Sequence, residues 1–226
     1  MITSNMSLCK VAAAARKDVG QVHRHAAEKH GDLALICRKG PNHSEVVRVG
    51  AFTSQKHLQW VYVITAVQGR ITLYPLLWYV TSDGVHALQL DAEGPASYFQ
   101  PHVVDRYILR YCKKDDLPTA LRIFHRRNYD KACHPDTYKG DRDNYAAVLE
   151  DGYVAGEYLK KDAIVHYRTF YDMVAGHERF GHLRPLLEWR DRMTSVVFDH
   201  TGRRETPHVA WCRGYPMRLE QMVKAA

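Results

Sequence analysis

The chain lacks any apolar run long enough to suggest a membrane span. Its opening, MITSNMSLCKVAAAARK, is too polar and too short in apolar run for a secretory leader. Cysteine is sparse and scattered: the 5 cysteines are Cys9, Cys37, Cys112, Cys133 and Cys212, with no CxxC pair among them. An odd, dispersed set argues against a disulfide framework and fits reduced thiols in the cytoplasm. There is no Walker loop, no GxGxxG and no GxSxG, so the simplest signatures of nucleotide binding, dinucleotide binding and serine hydrolysis are missing. Internal repeats and low-complexity segments are also absent.

What is present is ordinary globular composition. The 226 residues are 46% hydrophobic and 25% charged, enough for a real core in one domain, or in one domain with an added N-terminal segment. The net charge of +7 and a pI near 9.1 favour polyanionic partners, RNA or DNA, although a solvated basic surface fits as well. The surplus is uneven. Lys+Arg against Asp+Glu runs 8 to 4 over residues 1–50, 2 to 3 over 51–100, 10 to 7 over 101–145 and 12 to 11 over 146–226.

Residue patterns predict an α+β protein. Residues 6–30 read as a helix, with Ser7 as a possible cap, the run Ala12 to Ala15 as its strongest part, and Gly20 as a weak point. Its apolar stripe is thin, which suggests a surface helix or one that meets a partner. Strand composition follows at Leu33–Cys37, Val46–Phe52, Leu58–Val67, Ile71–Val80 and Val85–Leu90, separated by turn residues, so an antiparallel meander is expected. After Gln100 the period changes. Pro101 to Cys112 reads as a helix with proline at its first position, and a second helix runs about Leu117–Arg127 with Asp115 or Asp116 as cap. Residues 128–143 are polar and turn-rich. Three strands are expected at Tyr145–Leu149, Tyr153–Tyr158 and Ala163–Tyr171, then a helix at Glu178–Arg192 and an irregular tail. The expected divisions are 1–32 (helix), 33–100 (β-rich), 101–200 (two helices on a second antiparallel sheet) and 201–226 (tail). The alternative division takes residues 33–200 together as one domain.

Chemistry concentrates on the helix after Pro101. His102, Arg106 and Arg110 are spaced i, i+4, i+8 and so share one stripe. A histidine in the first turn feels the positive end of the helix, which favours the neutral imidazole that a general base needs. Arginines one and two turns on suit bidentate phosphate binding. The same spacing also occurs on a plain solvated helix face.

The stretch His102-Val-Val-Asp-Arg106-Tyr-Ile-Leu-Arg110 resembles the H-x3-R-x3-R helix of some small ribonucleases of the barnase–EndoU–colicin–RelE group. The resemblance covers roughly Pro101 to Met173 and leaves out the N-terminal meander. It implies metal-independent RNA cleavage of toxin or defence type, with no cofactor. His102 would be base or acid, and Arg106 and Arg110 phosphate clamps. His166, Arg168, Thr169 and Tyr171 would form the opposing wall. On a regular strand His166, Arg168 and Phe170 share one face, while Tyr167, Thr169 and Tyr171 share the other, so both sets line one cleft only across a bulge. His166 with Arg168 is the favoured pair.

Rival readings are weaker. With 14 histidines a metal site comes to mind, but Cys112, His125, Cys133 and His134 fit no compact zinc spacing, and His23 and His25 point apart on a helix. The R-x4–6-H spacing of HEPN-type nucleases occurs at Arg38/His43, Arg203/His208 and Arg16/His23, yet that fold is all-helical. The alternative function is a non-catalytic nucleic-acid-binding protein, of phage or mobile-element kind, using the N-terminal helix and residues 101–145. A protein partner or antitoxin is a further expectation, whereas a membrane partner is not, and the oligomeric state is left open.

Overall fold

The computed structural model describes residues 2, 6–38, 46–67, 70–113, 115–135, 144–181, 210–211 and 215–217. Helices and strands are mixed around one large sheet. The elements run α1 (Leu8–Lys29), α2 (Asp32–Arg38), β1 (Val46–Thr53), β2 (Gln59–Val67), β3 (Arg70–Thr81), β4 (Gly84–Gln89), β5 (Ala96–Phe99), α3 (Pro101–Tyr111), α4 (Leu117–Asn128), β6 (Ala132–Pro135), β7 (Asn144–Leu149), β8 (Gly152–Leu159), β9 (Ile164–Asp172), α5 (Met173–Phe180), β10 (Ala210–Trp211) and β11 (Tyr215–Met217).

The thin stripe of α1 is a packing device. Val11, Ala12, Ala15, Val22, Ala26 and Ala27 are buried, and such small side chains let the helix lie close to the sheet. Asp18 interrupts the stripe but is fully buried and satisfied. It accepts hydrogen bonds from Trp60 Nε1 at 3.0 Å and from Gln21 Nε2 at 2.8 Å. The stretch expected as a first strand, Leu33–Cys37, is instead helical and forms most of α2. Asp32 stands in its first turn, where a carboxylate complements the helix end, and Leu33 and Ala34 are good helix formers that pack under α1.

Two separate sheets were expected; one eleven-stranded sheet is observed, in the order β1-β2-β3-β4-β5-β9-β8-β7-β6-β10, with β11 beside β3. The joint is β5, a four-residue strand that the sequence reading missed. It runs antiparallel to β4 and parallel to β9, with Tyr98 opposite His166 and Phe99 opposite Tyr167. The sheet is buried on both faces. Trp60, Tyr62 and Ile64 of β2 belong to the buried cluster that includes α1 and α2, whereas Val61 belongs to the cluster on the other face, under α3 and α4. Such two-sided burial explains why β2 reads as a continuous apolar run rather than an alternating one.

Three further expectations are corrected. The segment after α4 contains β6. The tail contains β10, paired with β6, and β11, paired with β3. The late helix starts at Met173, and its expected continuation beyond residue 181 lies outside the described residues.

Polar ties lock α3 and α4 in place. Asp116 caps α4, accepting from the Thr119 N–H at 2.9 Å. Asp151, in the β7–β8 turn, accepts from the Tyr107 hydroxyl at 2.5 Å and pairs with Arg127, while its carbonyl accepts from Tyr111 at 2.9 Å. His125 is completely buried and donates Nε2–H to the Tyr74 carbonyl at 2.7 Å, tying α4 to β3.

Burial pushes the His125 pKa down to about 3. An unfolded histidine binds a proton below about pH 6.5 and native His125 does not, so stability should fall as pH drops through that window, by about 1.4 kcal/mol per pH unit. Buried or half-buried His23, His25, His30 and His166 are shifted the same way, chiefly by burial, and add to the trend. Urea midpoints measured between about pH 7 and about pH 5 should fall, less steeply in His125→Gln; a flat profile contradicts the account. Separately, a Cβ at Gly20 meets open space, so Gly20→Ala should raise helix stability by about 0.5–1 kcal/mol in the same assay.

Candidate functional site

Gln100 is the N-cap of α3, and Pro101 occupies its first turn, where the absent N–H costs no hydrogen bond. Val103, Val104 and Tyr107 turn inward, which leaves His102, Arg106 and Arg110 exposed along the outer stripe, the arrangement their spacing predicts. Two of the three are drawn toward the end of β9. Arg110 pairs with the Asp172 carboxylate at 2.6 Å and lies 5.9 Å over the Phe170 ring. Arg106 reaches the Phe170 carbonyl at 3.5 Å. His102 stands one turn before Arg106, with Asp105 beside it; the His102 charge opposes the upward push that burial exerts on the Asp105 carboxyl.

The partner strand is not regular. A bulge falls between Ala155 and Gly156 of β8: Ala155 pairs with Thr169 and Gly156 with Tyr167, leaving Arg168 as the extra residue of β9. Gly156 is required there, because a Cβ would lie 1.8 Å from the His166 carbonyl oxygen. The bulge resets the alternation. Val165, Tyr167 and Phe170 face α3 and α4, while Tyr171 faces α5, where Tyr153 and Phe180 are buried. Thr169, opposite Ala155, shares the α5 side, and His166 looks the same way, toward Tyr98.

The seven predicted residues therefore form two groups. His102, Arg106 and Arg110 lie on the α3 side of the sheet. His166, Thr169 and Tyr171 lie on the opposite face, and Arg168 projects from the bulge, exposed and closely paired with the Glu157 carboxylate. The single cleft expected from the sequence is not assembled, because a β-sheet stands between its halves. The bulge does unite His166 with Thr169 and Tyr171, members of sets that a regular strand would separate. The favoured pair of His166 with Arg168 is joined instead through Glu157, which lies 3.8 Å from His166 Nδ1.

His166 has the better-defined environment of the two histidines. Its ring centroid is 4.9 Å from that of Tyr98, its side chain is 20% exposed, and Nε2 has no hydrogen-bond partner among the described residues. Burial lowers its pKa, the Arg168 charge lowers it further, and the Glu157 carboxylate opposes both. Neutral imidazole is thus its ordinary form at neutral pH. Tyr98 in turn meets His86 on β4, so Tyr79, His86, Tyr98, His166 and Glu157 form a polar row across five strands. Apart from His166, this row was missed. Its members are far apart in sequence, and the only local hint is a histidine inside the apolar strand Val85-His86-Ala87-Leu88.

Among the described residues, no group of three or more His, Cys, Asp or Glu side chains is gathered for a metal. Cys112 and His125, considered for such a group, donate instead to the Ala120 and Tyr74 carbonyls, and the side chains of Cys133 and His134 lie outside the described residues. No described helix is long and apolar enough to cross a membrane. Comparison with protein-family models, with curated proteins and with solved structures finds no match for the chain.

A histidine titration by NMR tests the electrostatics of this face. His166 should titrate below about pH 6.5, the ordinary histidine value. Arg168→Met should raise its pKa, and Glu157→Gln should lower it further. An unshifted His166 that ignores both changes contradicts the geometry.

Proposed function

We propose that the chain binds nucleic acid, RNA in particular, through the outer surface of α3 and α4, without cleaving it. The observation that carries this reading is the charge on that layer. Arg106, Arg110, Lys113, Arg122, Arg126 and Arg127 are exposed there against Asp105, Asp115 and Asp116. Arg110 and Arg127 already serve Asp172 and the Glu150–Asp151 turn, and Asp116 is occupied as the cap of α4. Arg106, Lys113, Arg122 and Arg126 form no ion pair within 4.0 Å among the described residues, and they have the guanidinium and ammonium chemistry that phosphate oxygens select. His102 adds a hydrogen-bonding group to the same surface.

The basic N-terminal helix belongs to a different surface. Its Lys10, Arg16, Lys17 and Arg24 are exposed on the far side of the sheet, so a nucleic acid lying on α3 and α4 does not touch them without wrapping an edge. The ribonuclease reading, with His102 as base or acid and His166 in the opposing wall, requires those groups on one phosphate. Here the sheet separates them, and this favours binding over cleavage.

The test is binding of a labelled single-stranded RNA over a range of salt. Affinity should fall steeply with salt, and each of Arg106→Gln, Arg122→Gln and Arg126→Gln should weaken binding and shallow the log–log salt slope by about 0.7 per lost phosphate contact. Salt-insensitive binding, or slopes unchanged in all three variants, argues against this surface. RNA cleavage that persists in chelator and disappears in His102→Ala would overturn the non-catalytic reading in favour of the ribonuclease.

A further inference from the structure

The β3–β4 hairpin carries a side-chain cluster that the α3–α4 surface does not use. Thr81 closes β3, Asp83 sits in the turn, and His86 lies on β4, all within six residues. Their donor atoms meet at one point. Thr81 Oγ1 is 2.7 Å from His86 Nε2, Asp83 Oδ1 is 3.2 Å from the same nitrogen, and the Thr81 hydroxyl is in close contact with the Asp83 carboxylate.

The imidazole is fixed from behind. His86 is 7% exposed, its ring stacks flat on Tyr79 with centroids 4.7 Å apart, and its Nδ1 is 2.5 Å from the Tyr98 hydroxyl. With its proton on Nδ1, donated to the Tyr98 oxygen, His86 presents the Nε2 lone pair to the cluster, and a bound cation would select that tautomer. Outer groups hold the tautomer of metal-ligating histidines in this way. Asp83, by contrast, keeps its side chain 68% exposed, and a cavity of about 140 Å³ lies against the cluster, with Met6 and Leu8 on its other wall. At about 30 Å³ per water, it has room for several solvent molecules.

We propose that Thr81 Oγ1, Asp83 Oδ1 and His86 Nε2 form a three-donor face for a divalent metal ion, with water in the cavity filling the remaining positions. Neighbouring ligands of an octahedral ion with bonds of about 2.1 Å stand about 3 Å apart; the Thr81–His86 and Asp83–His86 separations of 2.7 and 3.2 Å are near that value, and the closer Thr81–Asp83 pair has to open when the hydroxyl turns to the ion. One imidazole, one carboxylate and one hydroxyl make a hard, oxygen-rich set of Mn²⁺ type rather than a thiolate-rich set that selects soft ions. With a single anionic ligand, binding is modest, since affinity for hard cations rises with ligand charge. The rival is a closed hydrogen-bond network in which the three groups satisfy only one another, and the site stands or falls independently of nucleic-acid binding.

The experiment is a Mn²⁺ titration of the full chain, followed by loss of the free-ion EPR signal. Asp83→Asn and His86→Ala should each weaken binding at least tenfold and Thr81→Val several-fold, while His57→Asn, which removes an exposed histidine elsewhere, should leave it unchanged. Because His86 is buried and His86→Ala can fail to fold, paramagnetic broadening in the unaltered protein is the second readout. Backbone amides of residues 81–86 and of Tyr98 should broaden first. No loss of free Mn²⁺ up to millimolar concentration, binding that survives in Asp83→Asn, or broadening centred elsewhere would each overturn the site.

Discussion

The parallel pairing of β5 with β9 decides what the other parts of this protein can reach. Four register pairs, Ala96–Ile164 to Phe99–Tyr167, join an antiparallel ladder that begins with β1 to one that ends with β10. A parallel pair needs a crossover connection, and here the chain between the two strands includes α3 and α4. Both helices pack on one face, where Phe99 meets Phe124 of α4 at 5.2 Å and Tyr167 of β9 at 5.3 Å. The other face is left to α1, α2 and α5. Every statement about which side chains share a surface follows from that division.

The details that refine the division are local. Asp151 gathers Tyr107, Tyr111 and Arg127 at one turn, so the outer surface of α3 and α4 is held against the β7–β8 hairpin by polar contacts as well as by apolar packing. Removing one partner from a buried, charged network of this kind leaves the others unsatisfied, which is why such clusters hold elements in one register. The bulge at Arg168 acts on the opposite face. It sets His166, Thr169 and Tyr171 on one side and projects Arg168 beside Glu157. The cationic layer and the histidine–tyrosine row are thus separate chemical surfaces on the two sides of one sheet.

Much of this was legible in the sequence. Strands β1 to β4 and β7 to β9, helices α1, α3 and α4, and the exposed stripe of α3 follow from periodicity, from Pro101 and Asp116 near helix starts, and from turns such as Glu150-Asp151-Gly152. What failed to show was non-local. Ala96–Phe99 is too short to announce itself, and its parallel partner lies more than sixty residues away. Leu33–Arg38 has a branched and apolar content that suits either state, and contact with α1 and the sheet decides for helix. At the candidate site the spacing of His102, Arg106 and Arg110 was readable, but their separation from His166 depends on sheet topology. The grouping of His166 with Thr169 depends on a bulge made possible by Gly156, a residue that carries no chemistry of its own.

The two-faced arrangement requires that His166 face Tyr98 and not α3. The direct measurement is a set of nuclear Overhauser contacts from the His166 ring protons in the folded chain. Cross-peaks to the Tyr98 ring and to Glu157, with none to His102, Arg106 or Tyr107, are the predicted result. Contacts between His166 and the side chains of α3 would contradict the two-faced arrangement.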